Sequence, residues 1–398
     1  MERNHFLERK KDEILSCLNG VVINKHGKGS NNEDYEKRVV NLWHLRALAL
    51  SRGGLVCATI RKLAWTKLVG VSDHVILSTT VGIAASYSLG ISGTSDNLPK
   101  ENIVPLQTED LQIIEQDMGR SVWPIEVSIQ ELRKKRKKEE KELQQKWTLR
   151  EEQTTYIPGK KNNQNDNKAS SVTNKSRSKC TRREGEQAVL LNIIITVLRS
   201  TPPQEENNIL SRGKDNRLHY YQGLHDIVAL FLINLESPSL TSLIVGRLCQ
   251  SHLRDPMRSD FTAMEAGMRI TFMPLLNVVD SSLHDHIIKS GVDLETCIFS
   301  WILTWFSHDF LNVEVASRLL DLFLASHALM PIYLSVAILT LNDNRKEIFD
   351  ADDFTKLHMV LKELPMNMVA SLDGNNLNND MELMDLFDDL IESAVSFM

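Results

Sequence analysis

Between residues 188 and 341 the chain is an almost unbroken series of helix-length stretches whose apolar side chains recur with helical period, and no other feature constrains the fold as much. The stretches read as 188–198, a core segment through Ile227-Val228-Ala229-Leu230-Phe231-Leu232, then 240–253, 263–279, 294–306, 314–326 and 331–341. Pro202-Pro203 stops the first, and short linkers part the others. No strand-length runs alternate with them and no repeat of fixed period is visible, so the expectation is an all-α, multi-helix domain. The apolar share, 42%, is that of a soluble globular protein.

The N-terminal part follows the same pattern less regularly. Residues 5–17 form a short amphipathic helix candidate around Phe6, Leu7, Ile14 and Leu15, and 27–32 a Gly/Ser/Asn loop. A helix is expected over 34–51 with Asp34 as its N-cap. Gly53-Gly54 breaks it, and a third helix carries Ile60, Leu63, Ala64 and Leu68 on one face. Arg61 and Trp65, one turn apart on that helix, are expected to pack, with Arg61 in a surface ion pair. Two stretches depart from the pattern. Residues 71–105, rich in Ser, Thr and Gly, read as an irregular insertion, and 131–186 as a basic, solvated one opened by Arg133-Lys134-Lys135-Arg136-Lys137-Lys138. The organisation that results is an N-terminal helical extension (1–39), a helical domain (40–365) and an acidic tail (366–398) holding an amphipathic helix over 381–391.

Several function classes are excluded or weakened. A formal charge of −6 gives no general pull toward nucleic acid, and no nucleic-acid partner is expected. The basic run suits an anionic membrane surface or an acidic protein, with a plain solvated linker as the alternative. Five scattered cysteines with no C-x-x-C pair suggest a reducing compartment and neither a disulfide framework nor a zinc site. No apolar run reaches bilayer-spanning length, and the charged N-terminus has no signal-peptide core, so a cytoplasmic protein is expected. His284 and His286 face apart on a helix, which argues against a metal there. No phosphate-binding loop and no G-x-S-x-G elbow occur.

The polar residues that stand out lie in two places. Tyr220-Tyr221-Gln222-Gly223 sits at the mouth of the core segment, where a glycine allows close approach and an amide offers both donor and acceptor. Upstream, Ile114, Asp117 and Arg120 follow one another at spacings that place them near one helical face. Together, I-x-x-D-x-x-R and Y-x-Q-G resemble the signature pair of TBC-domain GTPase-activating proteins, which act on Rab-type small GTPases. Gly53-Gly54-Leu55 with Arg61, Trp65 and Leu68, then Trp301 and Trp305-Phe306, then Arg318-Leu319-Leu320-Asp321-Leu322-Phe323-Leu324, match further family motifs in order. His219–Asp226 and 326–333 are most similar to the endoplasmic-reticulum branch, whose members end in a membrane anchor that this chain does not show.

The resemblance implies an arginine finger, Arg120, and a glutamine finger, Gln222, supplied in trans to a bound GTPase. Asp117 would then hold Arg120, Gly223 would let Gln222 approach, and Tyr220 would support the pair. Arg61 and Asp226 would be scaffold or interface. No cofactor belongs to the chain itself, since GTP and Mg²⁺ would come with the partner. A Rab on the ER-to-Golgi route, met peripherally at ER or Golgi membranes, is the implied substrate. One departure from the family pattern is Val122, which precedes Trp123-Pro124 and lengthens the loop after Arg120 by a residue. It keeps open a second reading, a helical Rab-binding adaptor with weak or no catalysis.

Overall fold

The computed structural model describes residues 2–24, 36–71, 108–118, 134, 137–138, 141, 179–199, 217–310, 312–370 and 377–398. Contacts within the chain divide it into two compact units, Met1–Val122 with Leu190–Met398, and Trp123–Val189. Nearly all the described residues of regular structure are helical, as the periodicity requires. The two expected insertions lie almost wholly outside the described residues, and so does Arg120.

Helix α1 (Glu2–Asn19) packs on α2 (Leu42–Leu50) and α3 (Ala58–Leu68) through Ile14 and Leu15. The helix expected over 34–51 is shorter than its pattern suggested. Glu36–Val39 instead forms strand β2, paired antiparallel with β1 (Val21–Asn24) in the register Val21↔Val39. The physical stop is Asn41, whose side chain accepts from the His44 backbone N–H at 3.1 Å and so caps α2 seven residues later than Asp34 would have. This hairpin is the only sheet among the described residues.

Helices α4 (Thr108–Met118) and α5 (Lys179–Arg199) each bury one apolar stripe, Ile114 and Met118 in the first, Leu190, Ile194 and Val197 in the second. The core is built around α6 (Leu224–Leu235), which touches α3, α4, α7 (Pro238–Cys249) and α11 (Val313–Ala325). Ser237 caps α7, with Pro238 at its first position, where a missing N–H costs nothing. Helices α8 (Thr262–Val279), α9 (Ser281–Ser290) and α10 (Leu294–Leu303) follow, the last two capped by Asp280 and Asp293. Helix α10 ends three residues before the expected Phe306, because Trp305 and Phe306 take left-handed backbone angles (φ 51° and 60°) that bury both rings.

Helix α11 is buried on almost every side, and Phe306 stacks on Phe310 and Phe323 against it. Helices α12 (Met330–Thr340), α13 (Asn342–Phe349) and α14 (Phe354–Ala370) complete that side. The final helix, α15 (Leu377–Ser396), docks along α12 and reaches α2 and α11. Its Phe387 meets Phe310 edge-on at 4.8 Å, so this helix, which includes the amphipathic stretch expected over 381–391, packs on the rest of the helical core. No described helix is long and apolar enough to cross a membrane.

Candidate functional site

Two buried polar clusters draw in nearly all the residues singled out in the sequence. The first surrounds Asp321 on α11, whose carboxylate accepts from the Leu55 backbone N–H and Arg61 Nε, each at 3.1 Å, and from Trp65 Nε1 at 2.8 Å. Arg61 is thus buried, 3% exposed, and its expected surface ion pair is a core one, with Glu314 at 3.8 Å as a second carboxylate. Gly54 is fixed by the same cluster, since a Cβ there would lie 2.7 Å from Arg318 Cδ. Arg318, fully buried, donates to the carbonyls of Ala49 and Ser51 at 3.0 Å, satisfying the open C-terminal end of α2, and to Asp388 at 3.0 Å. Lys10 also reaches the Ser51 carbonyl at 3.0 Å; burial, then Arg318, pull its ammonium down to about 8. This cluster holds helices together and presents no reactive group to solvent.

The second cluster lies at the start of α6. Segment 217–221 is tied down by the His219 N–H donating to the Met257 carbonyl at 2.8 Å, and by Tyr220 N–H donating to Asp110 Oδ1 at 3.1 Å. Gly223 opens the helix at φ 101°, a region L side chains avoid, and a Cβ there would meet Thr304 Cγ2 at 2.7 Å. Its glycine is therefore required by the turn and by Thr304 beneath it, a reason beyond the close approach of a partner. Tyr221 and Gly223 are buried while Gln222 between them is exposed. A rigid turn thus presents one amide to solvent.

Beneath that amide runs a chain of polar side chains. Tyr220 Oη donates to Asp117 Oδ2 at 2.9 Å. Burial, then the Asp117 carboxylate, push the Tyr220 phenol far above its ordinary value, so it stays a donor. Its single proton goes to Asp117, and its oxygen therefore accepts from His225 Nδ1 at 3.1 Å. His225 Nε2 lies 3.2 Å from Asp226 Oδ1 without hydrogen-bond alignment, and His308 Nδ1 donates to Asp226 Oδ2 at 3.2 Å. That bond, before any other cause, raises the His308 pKa. Asp309 beside it is raised to about 6 by burial.

Of the expected site residues, the structure brings Asp117, Tyr220, Gln222, Gly223 and Asp226 together and places Arg61 in the other cluster. Asp117 was expected to hold Arg120; its partners among the described residues are Tyr220 and His225. Sequence reasoning passed over Asp110, His308 and Asp309, and saw in His225 only a histidine beside the glutamine with no set of ligands to complete a site. Asp110 had a signal, lying seven residues before Asp117 on the same face. His308 had none, because its partner is 82 residues away. What the arrangement offers chemically is an exposed donor–acceptor on a backbone held by buried bonds. Among the described residues no group of three or more His, Cys, Asp or Glu side chains is placed to hold a metal ion.

Residues 59–349 match the family model for the Rab-GTPase-TBC domain. TBC1 domain family member 20 from Bos taurus and from Homo sapiens are each 35% identical over 189 residues, 47% of this chain and 42% of theirs. The GTPase-activating protein gyp10 of Schizosaccharomyces pombe is 32% identical over 166 residues, 40% of this chain and 42% of its own. The matched part therefore spans less than half the length of these relatives. The crystal structure of the Chlamydomonas flagellar RabGAP TBC domain aligns with 91% of this chain and 85% of its own at 13% identity, with a TM-score of 0.43.

Proposed function

This chain belongs to the Rab-GTPase-TBC domain family, and from that premise we propose that it accelerates GTP hydrolysis by a Rab-type small GTPase. The observation that carries the reading is Gln222, exposed between two buried neighbours on a turn that buried hydrogen bonds hold in place. In phosphoryl transfer, catalysis is mostly positioning and stabilisation of charge on the transferring group. An amide held rigidly at a protein surface suits the positioning part, since it can accept from the attacking water while donating elsewhere. Arg120 would supply the charge: a planar guanidinium, always protonated, with several donors for the γ-phosphoryl oxygens. It follows α4 by two residues, and α4 is anchored to Tyr220 through Asp110 and Asp117. The nucleotide and Mg²⁺ would come with the GTPase.

The resemblance of 219–226 and 326–333 to the ER-type branch supports a substrate on the ER-to-Golgi route, met by a cytoplasmic protein peripheral to those membranes. The extra residue after Arg120, Val122, supports a second reading, a Rab-binding adaptor with little turnover, because displacing a catalytic group by about 1 Å can cost on the order of a hundredfold. A panel of purified GTP-loaded Rab proteins separates the two. With active fingers, the wild-type chain accelerates hydrolysis by at least one Rab, and Arg120→Ala and Gln222→Ala each lose roughly a hundredfold or more. Binding with no acceleration by the wild type establishes the adaptor.

A further inference from the structure

The turn at 304–309, which carries Trp305-Phe306, lies directly under the Gln222 turn. Thr304 fills the space a Cβ at Gly223 would need. The turn is also costly to form. Trp305 and Phe306 are bulky residues at positive φ, conformations that such side chains rarely adopt and that persist where the surroundings over-determine them. Here the surroundings are plain: both rings are buried, with Trp305 5.2 Å from Phe323 by ring centroid and the Phe306 N–H donating to the Trp301 carbonyl at 2.8 Å. Ser307 Oγ closes the turn on the Thr304 carbonyl at 2.6 Å. The outcome of this conformation is that His308 faces outward, its side chain 67% exposed, with Nδ1 on the otherwise buried Asp226 carboxylate.

Asp226 sits in the first turn of α6, and its backbone N–H donates to the Gly223 carbonyl at 3.1 Å. Among the described residues His308 gives its carboxylate an aligned hydrogen bond, while Oδ1 has none. The other oxygen has only the unaligned His225 Nε2 at 3.2 Å, so the one aligned bond counts. We propose that His308 is a positioning residue for Gln222: from the strained 304–309 turn it fixes Asp226, and through Asp226 the turn of backbone that presents the amide. The inference rests on the reading of Gln222 as the group offered to a GTPase.

The test uses the full chain with His308→Ala and His308→Gln, the second keeping a donor. Hydrogen–deuterium exchange over residues 220–227 reports the turn directly, because the Leu224 and Asp226 amides bond within it. Exchange there is expected to quicken about tenfold in His308→Ala and to return toward wild type in His308→Gln. On the most responsive Rab of the panel, kcat falls about tenfold in His308→Ala with KM unchanged, and His308→Gln recovers most of it. Unchanged exchange in His308→Ala overturns the proposal. So does a raised KM with intact kcat, which would make His308 a partner contact. Equal loss in both variants would make it a structural residue only and overturn it too. If the wild type accelerates no Rab while exchange still responds to His308, the catalytic reading fails and the positioning of the turn stands.

Discussion

Asp309 lies beside His308 with one carboxylate oxygen, Oδ2, buried without a hydrogen bond, and burial lifts its pKa from an ordinary 3.8 to about 6. The folded chain therefore keeps a proton that the unfolded chain releases between those two values. Its contribution to stability is full below about pH 4, declines as pH rises toward 6, and is flat above. Asp309→Asn stays neutral throughout, so its stability relative to wild type should grow by about 1–2 kcal/mol between pH 4.5 and 6.5 and no further beyond. Urea titrations of both proteins at several pH values check this; a constant difference would mean the carboxyl titrates normally. At this scale the sequence was readable where a residue type is unusual for its place, as with an amide before a glycine at the head of an apolar segment. It was silent where a group is defined by a distant partner. Arg61 read as a surface residue because its neighbours within the helix allow that, and its carboxylate partner lies 260 residues on.

At the scale of elements, helix α15 illustrates the same limit. Its apolar stripe, Leu383, Phe387, Leu390, Ile391 and Ala394, is buried and was visible as a period in the sequence. The period does not tell which of the carboxylates between would face water, and Asp388, three residues before Ile391, is fully buried. It accepts from Arg318 at 3.0 Å and from the Gly53 N–H at 2.9 Å, which pins α15 to α11 and to the turn after α2. Removing one partner of such a pair strands the other charge away from water. Asp388→Ala should therefore cost about 3–5 kcal/mol in equilibrium unfolding, more than Asp385→Ala on the half-exposed edge of the same helix, where Arg3 and Arg52 pair with partial access to water. Equal costs for the two would show that the Arg318–Asp388 pair is screened. The β1–β2 hairpin was missed for a different reason: a short strand leading into a helix leaves no boundary in the pattern until Asn41 is recognised as the cap.

For the whole molecule, the order of helices and their all-α class were legible because period and linker length are local properties. The grouping of motifs was not, since it depends on pairings across hundreds of residues. Motifs that follow one another along the chain divide in space between a cluster around Arg318 and Asp321 and another around Asp117, Tyr220 and Asp226. The first satisfies backbone ends and ties α2, α3, α11 and α15 to one another; the second carries an exposed amide. They share no hydrogen-bonding partner among the described residues, so their variants should separate two measurable quantities. Arg61→Ala leaves Asp321 without its principal cation and should lower stability by about 3 kcal/mol or more. The acceleration of GTP hydrolysis by the Rab, per folded molecule of this chain, should stay within about twofold of wild type. Gln222→Ala, at an exposed position, should change stability by no more than about 0.5 kcal/mol while removing most of the acceleration. Kinetics corrected for the folded fraction, set beside denaturant midpoints, distinguish these cases. If Arg61→Ala slowed hydrolysis in fully folded protein as much as Gln222→Ala does, the cluster around Asp321 would have to reach the bound GTPase, and the division between scaffold and site drawn from the hydrogen bonds would be wrong.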